Sequence, residues 1–162
     1  MQLFTERLMI RTMLESDWRS FQQIAADFAA SPYRYFDRIF PLEDASVQRI
    51  TTRLAESGLF FAVCLEDEMI GYICFHDNDG VYDLGFAFRS AVQGKGYAYE
   101  ACTALLTHYE AQGITRFSAG TALDNTPSVR LLERLGFRPV GTEELEFHPG
   151  HPFVGGVFER RR

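Results

Sequence analysis

Hydrophobic residues change their spacing along the first third of the chain, and each change predicts a different element. Residues 8–11 form a short apolar run typical of a strand. Acidic and hydroxyl residues at 15–17 can then begin a helix, whose apolar positions repeat every three or four residues. A proline-containing aromatic stretch at 31–36 interrupts this repeat, and helical spacing resumes over residues 41–57. The predicted order is therefore strand, helix, loop, helix.

The middle of the chain has the pattern of three antiparallel strands. Apolar runs at residues 60–65 and 69–75 are separated by only three acidic residues, which is the spacing of a hairpin. The turn sequence Asp-Asn-Asp-Gly at 77–80 connects the second run to a third one at 82–88. We expect these three runs to form a meander.

The last part of the chain returns to helical spacing. Apolar residues three or four positions apart predict a long helix over residues 95–112, which Gly113 ends. Four further elements follow: a strand at 116–121, a helix at 127–135, and strands at 138–147 and 153–159. The basic end at 160–162 is expected to be frayed. Strand, helix and strand in succession imply one parallel crossover in an otherwise antiparallel sheet, so the predicted fold class is α+β.

Composition narrows the class of protein. The 162 residues fit a single domain spanning 1–162, and 46% hydrophobic residues suffice for a core without disulfides or metals. No apolar stretch reaches the roughly 20 residues of a membrane span, so we expect no membrane partner. A net charge of −6, from 22 acidic and 16 basic residues, argues against nucleic-acid binding and suits a cationic substrate. A monomer and a homodimer are both compatible with these features.

Cysteine and histidine residues give no sign of a metal site. Cys64, Cys74 and Cys102 lie in apolar runs without the spacing of metal ligands, so we expect reduced thiols. His148 and His151 lie in a Pro-Gly turn and lack a third ligand. The first residues lack the features of a secretory signal. We therefore expect a cytoplasmic protein.

One turn carries candidate chemistry. The sequence Gln93-Gly94-Lys95-Gly96-Tyr97-Ala98 leads from a strand into the long helix and leaves backbone N–H groups unpaired. Glycines let an anion approach, while the helix dipole and Lys95 add positive charge. A Walker loop needs Ser or Thr where Gly96 stands, and a dinucleotide fingerprint needs glycine at Tyr99. The turn predicts a pyrophosphate site, with a plain glycine-rich helix start as the alternative.

This turn resembles the phosphate loop of the GNAT acetyltransferase superfamily, Gln/Arg-x-x-Gly-x-Gly/Ala, at Gln93, Gly96 and Ala98. The strand before it matches a second family pattern, acid-aliphatic-Gly-aromatic, at 83–86. A third pattern, Asn-x-x-Ser followed by Leu-Gly-Phe, falls on Asn125, Ser128, Leu135, Gly136 and Phe137. The opening Thr-Glu-Arg-Leu at 5–8 resembles the RimJ/RimL-type branch. Several patterns in the expected order are more specific than any one of them.

The resemblance implies a GNAT-like fold, in which a mixed, mostly antiparallel sheet has splayed parallel strands 4 and 5 and about four helices. It implies acetyl-CoA as cosubstrate, an amine as acceptor, and no metal. By the same resemblance, the backbone of Phe86, Ala87 and Phe88 pairs with the pantetheine arm, and Asn125 bonds the arm near its end. The pyrophosphate is held by the amides of Gln93, Gly94, Lys95, Gly96, Tyr97 and Ala98.

Direct acyl transfer needs a neutral amine, a polarised thioester carbonyl and a proton for the leaving thiolate. Asp83 matches an acidic position of the family and is the candidate base, acting directly or through water. Orienting the backbone or facing solvent are its alternative roles. Glu144 and Glu146 are alternative bases, in a stretch that also has the pattern of a solvated strand face.

The candidate proton donor for the thiolate differs from the one that many members of the family have. Many family members have a tyrosine where this chain has Leu132. Ser128 matches the serine that RimL-like members present to the thiol, and is the candidate donor. A helix N-terminal serine that binds backbone amides is the alternative.

The predicted function is transfer of an acetyl group from acetyl-CoA to a primary amine, either a protein N-terminal amine or a small amine. The aromatic segment 33–40 is expected to help select that acceptor. The missing tyrosine keeps a non-catalytic acyl-CoA-binding module of the same fold as the alternative function. A nucleotide-dependent kinase or synthetase is disfavoured because no Ser or Thr follows Lys95.

Overall fold

The computed structural model describes residues 1–162 and contains one sheet of eight strands. The strands are β1 (Gln2–Phe4), β2 (Met9–Thr12), β3 (Phe60–Leu65), β4 (Glu68–Asn78), β5 (Val81–Phe88), β6 (Arg116–Ala122), β7 (Arg138–Leu145) and β8 (Phe153–Arg161). Their order across the sheet is β1-β2-β3-β4-β5-β6-β8-β7, so the last two strands exchange places. Only β5 and β6 run parallel, and all other neighbours are antiparallel.

Four α-helices accompany the sheet, as predicted. They are α1 (Trp18–Ala29), α2 (Asp44–Ser57), α3 (Tyr97–Ala111) and α4 (Thr126–Arg134), with single 3-10 turns at 15–17, 34–36 and 90–92. Helical spacing suggested that α2 begins near Pro41, but the helix begins three residues later, at Asp44. None of the four helices is both long and apolar enough to cross a membrane.

Buried side chains on the two faces of the sheet form two separate cores. Alternation along β3 shows the division: Phe61 and Val63 belong to the core beneath α3 and α4, whereas Phe60, Ala62 and Cys64 belong to the core beneath α1 and α2. Because both faces are covered, β3 is apolar at every position rather than at every second one.

The predicted meander is confirmed, and its turns show why these residues form hairpins. Glu66 and Asp67 connect β3 to β4 with φ of 49° and 67°, and Asp79 and Gly80 connect β4 to β5 with φ of 53° and 88°. Two-residue hairpin turns with positive φ at both positions match the twist of the flanking strands. The first turn has two residues rather than three, because Glu68 already belongs to β4.

Two ends of the chain differ from the prediction. β1 was missed because it has only three residues and pairs through Gln2↔Arg11 to Phe4↔Met9. The predicted splayed strands 4 and 5 are therefore β5 and β6 of the complete sheet. The prediction of a frayed C-terminal end was wrong. Strand β8 continues to Arg161, and Arg160 Nη1 lies 2.7 Å from Glu110 Oε1 on α3.

Close packing at Gly71 holds the end of β5. Gly71 on β4 is directly opposite Phe88, and a Cβ atom at Gly71 would collide with Cδ1 of the Phe88 ring. The buried Phe88 ring thus occupies the space that any other residue at this position would fill.

We predict that Gly71→Ala lowers the free energy of unfolding by about 1–3 kcal/mol, because the buried Phe88 ring must move aside. Urea denaturation measures the change. Gly141→Ala is the matched control, since a Cβ at Gly141 meets no atom within 4 Å and its φ is not positive. Equal stability of the two variants would contradict this account of the packing.

Candidate active site

The glycine-bearing turn forms the start of α3. Gly94 has a φ of 79° and Gly96 a φ of 83°, and Gly96 is the residue that precedes the helix. No side chain caps the helix, so the N–H groups of its first turn are not satisfied by a capping residue. Gln93 Nε2 donates to the carbonyl oxygen of Phe88, which ties the turn to the end of β5. The geometry provides exposed N–H groups and a helix dipole for an anion.

Arg7, far away in the sequence, lies against the same turn. Its Nη1 donates to the carbonyl oxygen of Lys95 at 3.0 Å, its Nε donates to Glu100 Oε2 at 2.7 Å, and its guanidinium lies 4.5 Å from the centre of the Tyr97 ring. Thr5 Oγ1 and the Arg7 backbone N–H also donate to Glu100 Oε1. The first residues of the chain therefore bring a cation to the candidate phosphate site and fix its direction.

Glu100 is held in its charged form by these contacts. Burial by itself would raise the pKa of Glu100, but hydrogen bonds from Thr5 and Arg7, together with the Arg7 charge, lower it below its ordinary value. A carboxylate that accepts several hydrogen bonds and an ion pair binds its partners most strongly when ionised.

An opening separates β5 from β6 directly beside this turn. The two strands pair only from Val81↔Arg116 to Asp83↔Ser118. β5 nevertheless stays paired with β4 up to Phe88, and β6 stays paired with β8 up to Ala122. Each strand is therefore held on its outer edge while its inner edge has no strand partner, which leaves backbone N–H and C=O groups available to a ligand.

Asp83 lies at the point where the two strands part. Ser118 Oγ on β6 donates to Asp83 Oδ1 at 2.8 Å, so the carboxylate is held across the last paired position. The buried neighbour Leu84 belongs to the α3 core, and strand alternation directs Asp83 to the face of α1 and α2. On that face, burial raises the pKa of the Cys74 thiol to about 12, and nearby Asp83 adds to the rise. Cys74 is therefore a neutral thiol rather than a nucleophile.

Asn125 and Ser128 meet at the start of α4, on the other side of the opening. Asn125 Oδ1 accepts the Ser128 backbone N–H, so Asn125 is the residue that caps the helix. Ser128 Oγ instead accepts a hydrogen bond from Thr121 Oγ1 on β6 at 2.9 Å. Both hydroxyl protons can rotate, so Ser128 can accept from Thr121 while it donates its own proton to a ligand. Leu132, one turn later, is fully buried and offers no polar group.

A cavity of about 70 Å³ lies on the α1 side of the sheet, against the same part of β5. Its lining combines α1, the α1–α2 connection, β4 and β5: Ile24, Ala25, Phe28, Asp37, Arg38, Ile39, Phe40, Tyr72, Phe86 and Ala87. The turn before α3, by contrast, belongs to the α3 side. The opening between β5 and β6 thus has a candidate phosphate site on one face and an apolar cavity on the other.

The sequence of the chain matches a known protein family over most of its length. The family described as acetyltransferase (GNAT) domain matches residues 7–138. The chain belongs to the GNAT acetyltransferase family.

Individual GNAT proteins resemble the whole chain. It is 31% identical over 146 residues to a Bacillus subtilis (strain 168) protein named "Uncharacterized N-acetyltransferase YnaD", covering 87% of this chain and 85% of that one. A GNAT acetyltransferase structure from Bacillus anthracis superposes with a TM-score of 0.85 at 26% identity, covering 99% and 98% of the two chains. The RimL ribosomal L7/L12 alpha-N-protein acetyltransferase, solved in complex with coenzyme A, gives a TM-score of 0.89 over 99% and 98%. At 20% identity, this last similarity concerns the fold.

Membership of the GNAT family confirms the predicted family, the α+β fold with its splayed parallel strands, and acyltransferase activity. The predicted site residues fall into two groups at the carboxyl ends of β5 and β6. The turn at 93–98 follows β5, and Asn125 and Ser128 follow β6, while Asp83 lies at the base of the opening. Glu144 lies on the exposed strand β7, and Glu146 accepts the Gly150 N–H within the β7–β8 connection.

Two charged residues near the opening escaped the sequence prediction. Arg7 belongs to the RimJ/RimL-like opening, but nothing in its neighbours indicates contact with Lys95 or Glu100. Asp37 lies within the aromatic segment 33–40, which was expected to help select the acceptor, yet no pattern distinguishes this carboxylate from others. His148 and His151, expected in a plain loop, contact Tyr35 of that segment.

We predict that Glu100→Gln destabilises the protein by about 1 kcal/mol at neutral pH, because it removes the ion pair with Arg7. The pKa of Glu100 is lowered by folding, so its contribution is present above the ordinary value near 4.5 and is lost as the pH falls through the folded-state pKa. Denaturant unfolding at several pH values should show the two proteins converging as the pH falls below 4.5 and through the lower folded-state pKa.

Glu6→Gln removes a neighbouring exposed carboxylate that forms neither an ion pair nor a hydrogen bond, and serves as the control. A difference between wild type and Glu100→Gln that does not change with pH would contradict the assignment.

Proposed function

We propose that this GNAT protein transfers an acetyl group from acetyl-CoA to a primary amine by direct attack. The observation that supports this proposal most is the opening between β5 and β6, bordered by the helix-start turn on one side and Ser128 on the other. A pantetheine arm needs such a slot, and unpaired β5 backbone gives its amides partners. Both outer edges are paired, so the slot is preformed.

Each part of acetyl-CoA has its own proposed binding residues. The amides of residues 93–98 hold the pyrophosphate, with positive charge from Lys95 and the helix dipole. The backbone of residues 86–88 pairs with the pantetheine arm, and the Asn125 side-chain amide bonds the arm near its end. Asn125 Oδ1 already caps α4, so its NH₂ group is the part that is available.

The chemistry follows from the groups around the thioester. The amine nitrogen attacks the carbonyl carbon, the new C–N bond forms, and the C–S bond breaks. The proton that the amine loses passes to the Asp83 carboxylate, directly or through water. The leaving thiolate takes a proton from Ser128, whose hydroxyl proton is not engaged by Thr121. Solvent then carries the proton from Asp83 and supplies one to Ser128.

The acceptor is either a protein N-terminal amine or a small amine. Several structures of similar fold are named for acetylating ribosomal proteins, among them the enzyme said to modify the N-terminal serine of protein L7/L12 in Salmonella typhimurium. That neighbour has a TM-score of 0.82 and supports the N-terminal alternative by fold. An α-amino group titrates near ~8 and a lysine amine near ~10.4, so the N-terminal acceptor demands less of a base.

We predict that acetyl-CoA at about 100 times its Kd stabilises the protein by roughly 2.7 kcal/mol, which raises Tm by about 5 °C or more. Gly96→Asp should remove most of this shift, because it places a side chain and a negative charge at the pyrophosphate. Differential scanning calorimetry with and without acetyl-CoA measures both effects.

Gly113→Asp is the matched control for Gly96→Asp: it strains a glycine of similar positive φ, 93°, at the opposite end of the same helix. An unchanged shift in folded Gly96→Asp would remove this turn from the site. Steady thiol release with a panel of amines separates the enzyme from a non-catalytic acyl-CoA-binding module, which would bind acetyl-CoA without turnover.

We predict that Ser128→Ala lowers turnover about 100-fold or more while acetyl-CoA affinity stays within roughly tenfold, as expected for a proton donor that acts in the transition state. Thermal stability should change little, because Asn125 and not Ser128 caps α4. Single-turnover kinetics and a binding titration measure the two quantities separately. Normal turnover with reduced Tm would show that Ser128 is only structural.

A further inference from the structure

The cavity on the α1 side of the sheet combines apolar walls with one acidic side chain. Eight of its ten lining residues are hydrophobic, and Phe86 and Ala87 bring it against the β5 segment proposed to hold the acyl arm. The polar exceptions are Asp37 and Arg38, and the Tyr72 ring adds a hydroxyl. A mostly apolar pocket with a few converging polar groups is typical of a ligand site.

The Asp37 carboxylate has no compensating cation in the protein. Asp37 forms no ion pair, and its one hydrogen-bond donor is the backbone N–H of Arg38 at 2.7 Å. The Arg38 guanidinium instead lies 5.5 Å from the centre of the Phe147 ring. Arg38 lines the same cavity without forming an ion pair with Asp37, and Asp37 is exposed, so its solvated carboxylate can reach a cationic ligand at the edge of the cavity.

Tyr72 supplies a neutral donor opposite this carboxylate. Burial raises the pKa of the Tyr72 phenol, and Cys74 and Asp37 raise it further, so the hydroxyl stays protonated. That hydroxyl makes no hydrogen bond within the protein, although the ring packs against Phe21 and Phe60. Both residues line the same cavity.

Contacts with a distant segment fix the position of Asp37. The backbone carbonyl of Asp37 accepts a hydrogen bond from His148 Nε2 at 2.7 Å. Two residues earlier, the Tyr35 ring stacks on His151 with 3.6 Å between ring centres and 3° between planes. Phe36 packs on Phe153 in a tilted arrangement, with 5.2 Å between ring centres and 57° between planes. The segment that carries Asp37 is thus held on the β7–β8 connection and the start of β8, which fixes the Asp37 backbone before a ligand arrives.

We propose that this cavity selects the acceptor: a primary amine that Asp37 binds as its ammonium form, with a compact aliphatic group filling the apolar part. This inference rests on the proposed function and specifies its substrate class. The ammonium form dominates at neutral pH for an α-amino or alkyl amine, so a carboxylate is the recognition group that fits.

The size of the cavity sets the size of the group. One water-sized group occupies about 10–15 Å³ on this measure, so about 70 Å³ holds roughly five to seven of them. The four carbon atoms of a leucine side chain fit within this volume, whereas a serine side chain leaves apolar wall uncovered. An extended acyl chain is the competing occupant, and the lining variants described below distinguish it from the amine.

Binding titrations of the CoA-saturated protein test this inference independently of turnover. Three probes are compared. L-leucinamide has both the ammonium and the aliphatic group, L-serinamide has only the ammonium, and isoamyl alcohol has only the aliphatic group. We expect L-leucinamide to bind at least tenfold more tightly than either of the others. Asp37→Asn should weaken L-leucinamide binding tenfold or more. Asp67→Asn, which removes an acidic charge from the β3–β4 turn, should change it less than twofold.

Variants of the lining test the aliphatic part. Ala25→Leu should abolish the preference for L-leucinamide over L-serinamide by filling the cavity, with Tm as the check on folding. If Ala25→Leu does not fold, Phe28→Ala provides the test instead. This variant enlarges the cavity and should shift the binding preference towards L-phenylalaninamide.

Each outcome is decisive. Equal binding of L-leucinamide and L-serinamide, or normal binding by Asp37→Asn, would overturn the inference. So would an Ala25→Leu variant that loses butyryl-CoA binding but keeps its amine preference, since the cavity would then hold the acyl chain. Selective, Asp37-dependent amine binding without thiol release would support the cavity assignment and contradict the proposed acetyl transfer.

Discussion

The parting of β5 and β6 is the constraint on which the rest of the structure depends. Two parallel strands normally satisfy each other's backbone groups, yet these two share only three paired positions. They do not collapse together because β4 holds β5 up to Phe88 and β8 holds β6 up to Ala122. The exchange of β7 and β8 in the sheet order is what supplies β6 with its outer partner. An opening in the sheet is thereby built into the hydrogen-bonding pattern.

Helices on both faces give this opening two different surroundings. The core beneath α3 and α4 includes Leu84 and Phe88 of β5, whereas the core beneath α1 and α2 takes the alternate side chains. Positive groups gather on the first face, where Arg7 and Lys95 lie at the start of α3. The acidic Asp37 lies on the second face. In the proposed function, an anionic cosubstrate and a cationic acceptor approach one opening from opposite sides, each towards a group of opposite charge.

Contacts between distant segments fix both sides of the site. Thr5 and Arg7 hold Glu100 and the turn before α3, and the β7–β8 connection holds the segment around Asp37. Because of these contacts, the conformational entropy of each exposed segment is lost when the chain folds and not when a ligand binds. Such pre-ordering matters in a transferase, because the amine, the thioester and the proton donor must meet in one geometry.

The sequence by itself determined the elements, their order and the turn before α3. These features have local causes: the spacing of apolar residues in α1 and α3, the two acidic residues of the β3–β4 turn, and the glycines at 94 and 96. Tertiary structure alone decided the pairing of β1, the ordered Arg160 beside Glu110, the approach of Arg7 to Lys95, and the place of Asp37 in the cavity. Periodicity reports which face of an element is buried, but not which residue 88 or 111 positions away will meet it. Those meetings depend on how the strands are ordered and how the helices pack, and both are settled only when the whole chain folds.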